Sequence, residues 1–464
     1  MPNFNFAELI TKYIERTNFM ALTGLEIFKL LPKTNCKKCG KPTCLAFAMA
    51  LAQKRAKLDE CPDVSEQAKE QLAAAAAPPM RKVVFGTGEH QVQTGQETVC
   101  FRHEEKFYNP AVLGVTVSDK LTGGELEKRI ASINALQFER VGTKIGVQAV
   151  AVVNDSGSSD AFAKTAAAVK DGSDLALILV SKSPDAMSAA VAKVADRVPL
   201  LGFAETANAE AMAKVAKAAR CPLAVKAQSI EELSDLSEKI AGFGVEDIVL
   251  SLDGSSPRDR LYGLSRMRVL SLKKVFRPLG YPTISFVDGQ DADTQLASAT
   301  SLICKYSGIV IVDTVKPYAL LPILTAVMNI YTDPQKPVQV EPKVYPVGEP
   351  DENSPLMFTT NFSLTYYTVE SDVEASRVPS YILVVDTEGT SVLTAYSGDK
   401  LNEKTVADAM VKYGVDKLVK HRKLIIPGYV AVMSGKLEEA TNWEVLVGPR
   451  ECSMLPKYLQ EVWN

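Results

Sequence analysis

The sequence has little of what marks several large protein classes. It contains only three histidines, His90, His103 and His421, and this scarcity limits imidazole chemistry. It has no run of about 20 apolar residues, so no segment is expected to span a membrane. A formal net charge of −3 and a pI near 5.9 leave no basic excess, which argues against a nucleic-acid partner.

Nucleotide and secretion signals are missing as well. The chain has no G-x-x-x-x-G-K-[ST] motif, and no G-x-G-x-x-G follows a strand pattern, so no nucleotide fingerprint is present. Residues 1–19 are mixed in polarity, carry two acids and are typical of a short helix, not of a leader. We therefore expect a cytoplasmic protein whose thiols stay reduced.

Four cysteines near the start of the chain are the most informative feature present. Cys36, Cys39, Cys44 and Cys61 follow the pattern C-x2-C-x4-C-x16-C-P. Four thiolates are the full ligand set of one [4Fe–4S] cluster. Gly40 permits a tight turn between the first ligands, and a helix-like apolar stretch returns the chain to the fourth. The pattern predicts a cluster domain.

Two other interpretations of these cysteines stay open. A structural zinc site usually pairs its ligands as two C-x2-C knuckles, and the second knuckle is absent here. Disulfides are disfavoured in a reducing compartment. The other four cysteines have no ligand spacing and are expected to be ordinary buried thiols: Cys100, Cys221, Cys304 and Cys452.

Length and composition predict several globular domains. The 464 residues, 46% hydrophobic and 23% charged, suit a soluble protein of two to four domains. The cluster domain, residues 20–77, ends in an alanine run that meets Pro78 and Pro79. Two prolines stop a helix and stiffen a linker, so residues 78–107 are expected to be a linker.

The block 108–333 alternates short apolar runs with amphipathic helical patterns. Eight such runs in about 220 residues match a central (β/α)8 TIM barrel, with an open doubly wound sheet as the competitor. The expected strands are VLGVTVS, GVQAVAVVND, LALILVS, PLLGFA, PLAVKAQ, DIVLSLD, TISFVDG and GIVIVDTV.

Polar residues follow these strands. Asn154, Asp155 and Asp253 are examples, together with Ser181, Glu205, Asp288 and Asp313. They could form a polar ligand site or a docking face, since barrel loops after the strands build the working face. Helix capping explains them better, because every loop shows the pattern.

A third block follows a proline-rich stretch. Residues 334–354 are expected to be an extended linker, and residues 355–464 a small Rossmann-like α/β domain. Its turns after apolar strands carry Gly389-Thr390-Ser391, Pro427-Gly428 and Gly448-Pro449. Ligands in such folds bind at the carboxyl ends of strands, and glycine lets them approach the backbone. The whole chain is thus an α/β multidomain protein.

The segment ALTGLEIFKLLPKTNCKKCGKPTCLAFAMALA, with Cys61-Pro62, resembles the start of the large (gamma) subunit of the corrinoid iron–sulfur protein. That family is the methyl carrier of the acetyl-CoA synthase/CO dehydrogenase pathway. The resemblance extends from about Met20 to the end of the chain, and residues 1–19 lie outside the family's usual start as an N-terminal extension. The order of cluster domain, barrel and corrinoid-binding domain is the same.

The resemblance implies specific site residues. Cys36, Cys39, Cys44 and Cys61 would be the cluster ligands. The C-terminal domain would hold a cobamide over the strand ends, against TTNFSLT at 359–365 and the turns of the third block. The contacts carried over by local pattern are Thr359, Thr365, Gly389, Thr390, Ser391, Val392, Gly428, Gly448 and Pro449.

The resemblance also implies a mechanism. Co(I) would accept a methyl group from methyltetrahydrofolate on a separate methyltransferase and donate it to acetyl-CoA synthase, while the cluster reactivates Co(II). Partners would be a small subunit in a heterodimer, the methyltransferase, and acetyl-CoA synthase/CO dehydrogenase. The cobamide is expected to be base-off. The chain has no D-x-H-x-x-G motif, so cobalt would also have no protein nitrogen below it and Co(II) would be easier to reduce, because axial ligation tunes a metal's potential.

Two rival functions remain at this point. In the first, the barrel binds methyltetrahydrofolate itself through Asn154, Asp155 and Asp253, which would make the chain a pterin-dependent methyltransferase. In the second, the chain is a plain iron–sulfur electron carrier without a corrinoid. Pterin binding by this chain alone would favour the first, and a cobalt-containing preparation would exclude the second.

Overall fold

The computed structural model describes residues 24–52, 55–56, 58–65, 68–69, 72, 78–254, 256–287 and 289–463. The helix predicted within residues 1–19 lies outside them. Two compact units emerge from the packing. Unit 1 comprises residues up to 138 and 145–331, and unit 2 comprises residues 139–144 and 332–464. In the described part, no helix is long and apolar enough to cross a bilayer.

Unit 1 begins with a small helical domain. Helix α1 (Gly24–Leu30) packs on α2 (Cys44–Ala52), and a 3-10 turn (Leu58–Glu60) follows. Ile27, Leu31 and Phe47 form its apolar centre together with Val64 and Leu72. Burial of this small cluster is what holds the cysteine-bearing loop in place.

The expected linker at residues 78–107 contains regular structure, which corrects that prediction. Strands β1 (Lys82–Phe85) and β2 (Val92–Gly95) pair as an antiparallel hairpin. Val83, Phe85 and Val92 are buried in the same cluster as the inward-facing side chains of the barrel strands. The segment is therefore part of the barrel unit, because its apolar alternation needs a buried face.

All eight predicted barrel strands are present. They are β3 (Val112–Ser118), β6 (Ala149–Val153), β7 (Ala176–Val180), β8 (Leu200–Ala204), β9 (Leu223–Ala227), β10 (Ile248–Leu252), β11 (Ile284–Phe286) and β12 (Ile309–Val312). Between β3 and β6 in the chain, strands β4 (Gln137–Arg140) and β5 (Thr143–Gly146) form a separate two-stranded sheet. Because these two strands are polar, the sequence has no apolar run there that would predict them.

The eight strands form one parallel sheet in the order β10-β9-β8-β7-β6-β3-β12-β11. A bridge between Leu250 of β10 and Thr283 beside β11 joins the two ends. The sheet is thus nearly closed, as in a barrel, and the open doubly wound alternative is wrong. Strands buried on both faces explain the continuous apolar runs in the sequence.

Helices cover the outside of the barrel. They are α3 (Gly124–Asn134), α4 (Ser159–Gly172), α5 (Pro184–Val194), α6 (Ala209–Ala219), α7 (Ile230–Gly242), α8 (Pro257–Leu272), α9 (Ala292–Cys304) and α10 (Pro317–Ile330). Ser158, Ser183, Ser229 and Ser256 cap four of them by accepting a backbone N–H. Capping therefore occurs as expected, but at serines just beyond the polar residues named from the sequence.

Unit 2 contains a five-stranded sheet in the order β13-β15-β14-β16-β17. Its strands are β13 (Val344–Val347), β14 (Leu356–Thr360), β15 (Ser380–Val385), β16 (Lys423–Ile426) and β17 (Glu444–Val447), with β13 antiparallel to the rest. Its helices are α11 (Ser363–Ser376), α12 (Val392–Ser397), α13 (Glu403–Lys412), α14 (Ser434–Thr441) and α15 (Leu455–Val462). This is the small α/β fold that the sequence predicted.

The linker predicted at 334–354 is also shorter than expected. The Val340 N–H donates to Asn361 O at 3.0 Å, and the Ser363 N–H donates to Val338 O at 3.0 Å. Strand β13 then joins the sheet, with Pro346 on an edge strand where its missing N–H is tolerated. From Val338 onward the chain belongs to the packed domain, so only the residues between α10 and Val338 remain as a linker.

Candidate functional site

The four predicted cluster ligands lie in one small domain. Cys36 and Cys39 are in the loop between α1 and α2, Cys44 is the first residue of α2, and Cys61 follows the 3-10 turn. Cys44 and Cys61 are buried in the domain's apolar cluster, Cys39 packs against it, and Cys36 is exposed. All four are free thiols.

Asn35 fixes the loop that carries the first two cysteines. Its Oδ1 accepts the Cys44 N–H at 2.8 Å, and its own N–H donates to Cys44 Sγ at 3.3 Å. Lys33, Asn35, Lys37 and Gly40 all have positive φ, between 48° and 71°. Left-handed residues at this density curl the backbone tightly, as a loop wrapped around one object must.

Several of these thiols also interact electrostatically. Burial raises the pKa of the Cys61 thiol, and the neighbouring Cys39 and Cys36 raise it further. Cys36 Sγ lies 3.5 Å from Asp63 Oδ2, and Asp63 pairs with Lys38 at 3.0 Å. Three of the four cysteines are therefore close enough to share one electrostatic environment.

This donor set can be tested against an iron–sulfur cluster. In the described part of the chain, no three His, Cys, Asp or Glu side chains are grouped to hold one metal ion. A cubane cluster differs from a single ion because each thiolate binds a different iron, so its four sulfurs stand farther apart. Four free thiols in one small domain, two of them on a tightly curled loop, fit such a group. The four ligands stay a prediction.

A cavity opens at the carboxyl ends of the unit 2 strands. Its volume is about 500 Å³, and its walls include the ends of β14 and β16 and the turn after β17. In chain order β14 leads to β15 on one side and later to β16 on the other, so the cavity lies at a topological switch point. Ligands of open α/β sheets bind at this position.

The structure brings six of the nine predicted corrinoid contacts to this cavity. They are Thr359, Thr365, Ser391, Val392, Gly448 and Pro449. The other three, Gly389, Thr390 and Gly428, do not line it. Gly389 and Thr390 shape the turn after β15, where the Thr390 hydroxyl donates to Thr387 O at 2.7 Å.

Gly428 supports the cavity wall without lining the cavity itself. A Cβ at this position would stand 2.5 Å from Gly448 O and 2.8 Å from the Arg450 N. The loops after β16 and β17 can therefore approach each other only because residue 428 has no side chain. Its role is to hold Gly448 and Pro449 in the cavity wall.

An unpartnered hydroxyl lies in the cavity wall. Thr359 is 1% exposed, and its Oγ1 has no hydrogen-bond partner among the described residues. A buried hydroxyl without a partner costs about 1–3 kcal/mol, so it points to a ligand that would bond it. Leu393 and Tyr429 line the same cavity while 47% and 44% exposed, which suits a large ligand with apolar faces.

His421 lies away from this cavity. It precedes β16, and its Nε2–H donates to Ser354 O at 2.8 Å while its Nδ1 accepts the Lys423 N–H at 3.0 Å. Burial lowers its pKa. Both ring nitrogens are occupied, and the amino end of a parallel strand is opposite the carboxyl ends that frame the cavity.

Several of the polar barrel residues make contacts with neighbouring strand ends. Asp253 pairs with Lys226 at 3.0 Å, and Asn154 donates from Nδ2 to Ser181 Oγ at 2.9 Å. The Asp155 N–H donates to the buried Asp119 carboxylate at 2.9 Å. These contacts fix the loops after the strands.

Comparison with protein families places the chain. A model described as "CO dehydrogenase/acetyl-CoA synthase delta subunit" matches residues 82–459. A second model, for an Fe–S cluster region, matches residues 31–62, the segment that carries all four cysteines. Together the two matches cover both units of the structure.

Curated relatives match over nearly the whole chain. The corrinoid/iron-sulfur protein large subunit of Moorella thermoacetica is 46% identical over 94% of this chain and 97% of its own length. The chain belongs to this family. The acetyl-CoA decarbonylase/synthase complex subunit gamma of Methanothermobacter thermautotrophicus is 38% identical over 96% of this chain and 99% of its own length. The resemblance seen in the sequence is thus confirmed.

Among solved structures, dihydropteroate synthase from Xanthomonas albilineans matches 48% of this chain and 96% of its own, with 12% identity. The TM-score is 0.36, and a likeness at that level carries no argument about function.

Sequence reasoning missed most of one wall of the cavity in this family member. Thr368, Val369 and Asp372 line it from α11, after the predicted contact Thr365 on the same helix. Their spacing of three, four and seven residues is that of one helix face, a signal present in the sequence. The β-branched and aromatic residues of FTTNFSLTYYTVESDV obscured it, because such residues are more typical of strands.

Proposed function

We propose that the chain is a corrinoid methyl carrier of the acetyl-CoA pathway, with a [4Fe–4S] cluster on its four N-terminal cysteines and a base-off cobamide in the unit 2 cavity. The observation that carries the proposal is this cavity. It lies at the switch point of the sheet and has an unpartnered, buried Thr359 hydroxyl in its wall. Membership of the corrinoid iron–sulfur protein family supports it.

The chemistry belongs to the cofactors, and the protein binds and orients them. When bound, the cobamide supplies the cobalt that accepts a methyl group from methyltetrahydrofolate, on a separate methyltransferase, and donates it to acetyl-CoA synthase. The cluster supplies the single electron that returns oxidised cobalt to its reactive state. This assignment makes the chain a methyl carrier acting within methyltransferase-type reactions.

The residues of unit 2 have distinct roles in this proposal. Thr359, Thr365 and Ser391 offer hydroxyls to the polar groups at the cofactor's edge. Gly448 and Pro449 would let a corrin approach the backbone, and Leu393 and Tyr429 would offer apolar contacts to it. Gly389, Thr390 and Gly428 hold the two turns in position without lining the cavity.

The proposed base-off state requires that the protein add no axial nitrogen of its own, and the histidine of unit 2 is engaged elsewhere. His421 is the one histidine of residues 332–464, and both of its ring nitrogens are engaged by Ser354 and Lys423. An axial donor sets the potential of a bound metal, and its absence favours the lower oxidation state. A base-off cobamide is accordingly easier to reduce.

A carrier of this kind needs several partners. We propose a heterodimer with a small subunit, and transient complexes with the methyltransferase and with acetyl-CoA synthase/CO dehydrogenase. The relatives' names place them in the acetyl-CoA decarbonylase/synthase complex. A short linker between α10 and Val338 is where the chain can flex between visits to two partners.

The deciding experiment is metal analysis with an optical spectrum. The protein is purified without oxygen, after co-expression with its small partner and with cobamide supplied. About one cobalt and four irons per heterodimer, with a base-off corrinoid band, would support the proposal. Iron without cobalt would leave a plain electron carrier, and zinc in place of iron would overturn the cluster assignment.

A further inference from the structure

Lysines surround the predicted cluster ligands. Between positions 29 and 41 the sequence has five lysines and no acidic residue, although the whole chain has a net charge of −3. We call this set the lysine face: Lys29, Lys33, Lys37, Lys38 and Lys41. Each member is within seven residues of Cys36 along the chain. The positive charge is thus local to the cysteine loop.

The lysine face is open to solvent. Lys29, Lys33, Lys37 and Lys38 are exposed, and Lys41 is half-buried. Within the described residues only Lys38 of this set forms an ion pair, with Asp63 at 3.0 Å. The other acids of the described domain are Glu26, Asp59 and Glu60. Four cations therefore have no carboxylate partner in the described part of this domain.

The lysines mark the side on which a cluster would be nearest to solvent. Cys44 and Cys61 are buried, whereas Cys36 is exposed and stands between Lys33 and Lys37 in the loop. A group held by these four thiols would have its accessible edge at Cys36. An electron from another protein would enter there.

Exposed apolar residues lie on α1 and α2, and Leu25 is one helical turn from Lys29 on α1. Leu25, Leu45 and Met49 are 64%, 41% and 48% exposed. A side chain at Gly24 would collide with Met49, so the start of α1 lies directly against α2. Leu45 directly follows the ligand Cys44. An apolar centre beside polar or charged residues is the anatomy of a protein interface, and electron-transfer complexes use small ones.

We propose that the lysine face and these exposed apolar residues dock a small acidic one-electron carrier protein that reduces the cluster. One electron leaves the carrier and enters the cluster, and no bond forms or breaks. The inference rests on the cluster half of the proposed function. Lysines at the entry point attract an acidic carrier over a distance and raise the association rate, by about 10- to 1,000-fold in steered complexes.

The same lysines could instead only offset the charge of the cluster, and carriers of opposite charge distinguish the two roles. Reduced flavodoxin, a small acidic carrier, and the reduced methyl viologen radical cation each reduce the reconstituted full-length protein in stopped-flow measurements. The test variant changes four lysines to glutamine: Lys29, Lys33, Lys37 and Lys41. The control changes four exposed barrel lysines in the same way: Lys128, Lys164, Lys193 and Lys305.

We expect the test variant to react with flavodoxin at least about tenfold more slowly at low salt, and with viologen no more slowly. The control variant should match the parent with both reductants. Equal slowing with both reductants would assign the lysines to the cluster's potential and overturn the docking proposal. So would an unchanged flavodoxin rate.

The parent protein provides a test that needs no variant. Between about 0.01 M and 1 M salt the Debye length falls from about 30 Å to 3 Å. The flavodoxin rate should fall over this range while the viologen rate rises or stays constant. A flavodoxin rate independent of salt would contradict steering even if the variant cannot be prepared. Iron analysis comes first, because a parent protein without a cluster would refute the proposed function instead.

Discussion

Asn361 holds the turn that contains Gly389. Its Oδ1 accepts the N–H of Gly389 at 2.9 Å and that of Thr387 at 3.0 Å, and its Nδ2 donates to Asp386 Oδ1 at 3.0 Å. The side chain is fully buried at the end of β14. One amide thus joins the ends of two neighbouring strands in the turn that leads to Ser391 and Val392 of the cavity wall.

Replacing Asn361 with alanine should loosen this turn. Two buried backbone N–H groups would lose their acceptor, which should lower the free energy of unfolding of unit 2 by about 2–4 kcal/mol. Cobamide retention should fall as well, because Ser391 and Val392 of the cavity wall follow this turn. Fluorescence reports on unit 2 alone, since both tryptophans, Trp443 and Trp463, lie in it.

Ser453→Ala is the control for the Asn361 variant, since Ser453 lines the cavity but is exposed. It should leave the unfolding transition unchanged. A normal transition for Asn361→Ala would show that the turn does not depend on this amide.

Thr359→Val and Thr360→Val form a matched pair. Neither buried hydroxyl has a hydrogen-bond partner among the described residues, but Thr359 lines the cavity and Thr360 does not. Removing either should stabilise the cofactor-free protein by about 1 kcal/mol, because an unsatisfied polar group is lost. Only Thr359→Val should weaken cobamide binding, by up to about tenfold for one hydrogen bond. The cobalt content of each variant after gel filtration measures this binding. Equal retention in both variants would remove Thr359 from the cofactor's contacts.

Gly428→Ala should distort the cavity, although residue 428 does not line it. The added methyl group would stand 2.5 Å from Gly448 O, so the loops after β16 and β17 must separate. Overpacking of this kind costs about 1–3 kcal/mol. Gly435→Ala is the control: it lies in α14 with nothing within 4 Å of the added Cβ and should stabilise by about 1 kcal/mol. Unfolding curves and cobalt content for both variants measure the difference, and full cobalt retention by Gly428→Ala would refute the support role.

The sequence predicted the barrel strands better than the segments that precede and follow the barrel. Eight barrel strands follow from continuous apolar runs, since strands buried on both faces need them at every position. The β1–β2 hairpin was read as a linker because Pro78 and Pro79 dominate the local signal, although the buried Val83 and Phe85 alternate along β1 as strand residues should. Prolines show where a helix ends, but they do not show where the next strand or helix begins.

In the candidate sites too, local features were predicted better than contacts between distant segments of the chain. The cysteine spacing is a property of the chain itself and could be read directly. The cavity wall from α11 and the role of Asn361 depend on which strand ends become neighbours, and a single sequence does not show strand order. Gly389, Thr390 and Gly428 were therefore named as contacts although they do not line the cavity.

Serine substitution of the four cysteines tests the cluster. Cys36→Ser, Cys39→Ser, Cys44→Ser and Cys61→Ser should each lower the iron content from about four per chain and abolish the intact cluster's spectrum, because each thiolate binds a different iron. Cys304→Ser, at an exposed cysteine of the barrel, is the control and should keep all four irons. A full iron content in any of the four variants would remove that residue from the ligand set.

The stability of unit 2 should decrease below neutral pH through His421. Burial lowers the pKa of this histidine from its ordinary value of 6.5, and protonation of Nδ1 would break the bond from the Lys423 N–H. Since the unfolded chain binds the proton first as the pH falls, the stabilisation is present above 6.5 and is lost as the pH drops toward the folded pKa. Tryptophan fluorescence should show a lower melting temperature at about pH 5 than at about pH 7. His421→Gln should reduce that difference, whereas His90→Gln, at an exposed residue of unit 1, should leave it unchanged. An identical pH dependence in His421→Gln and the parent would show that carboxylates alone are responsible.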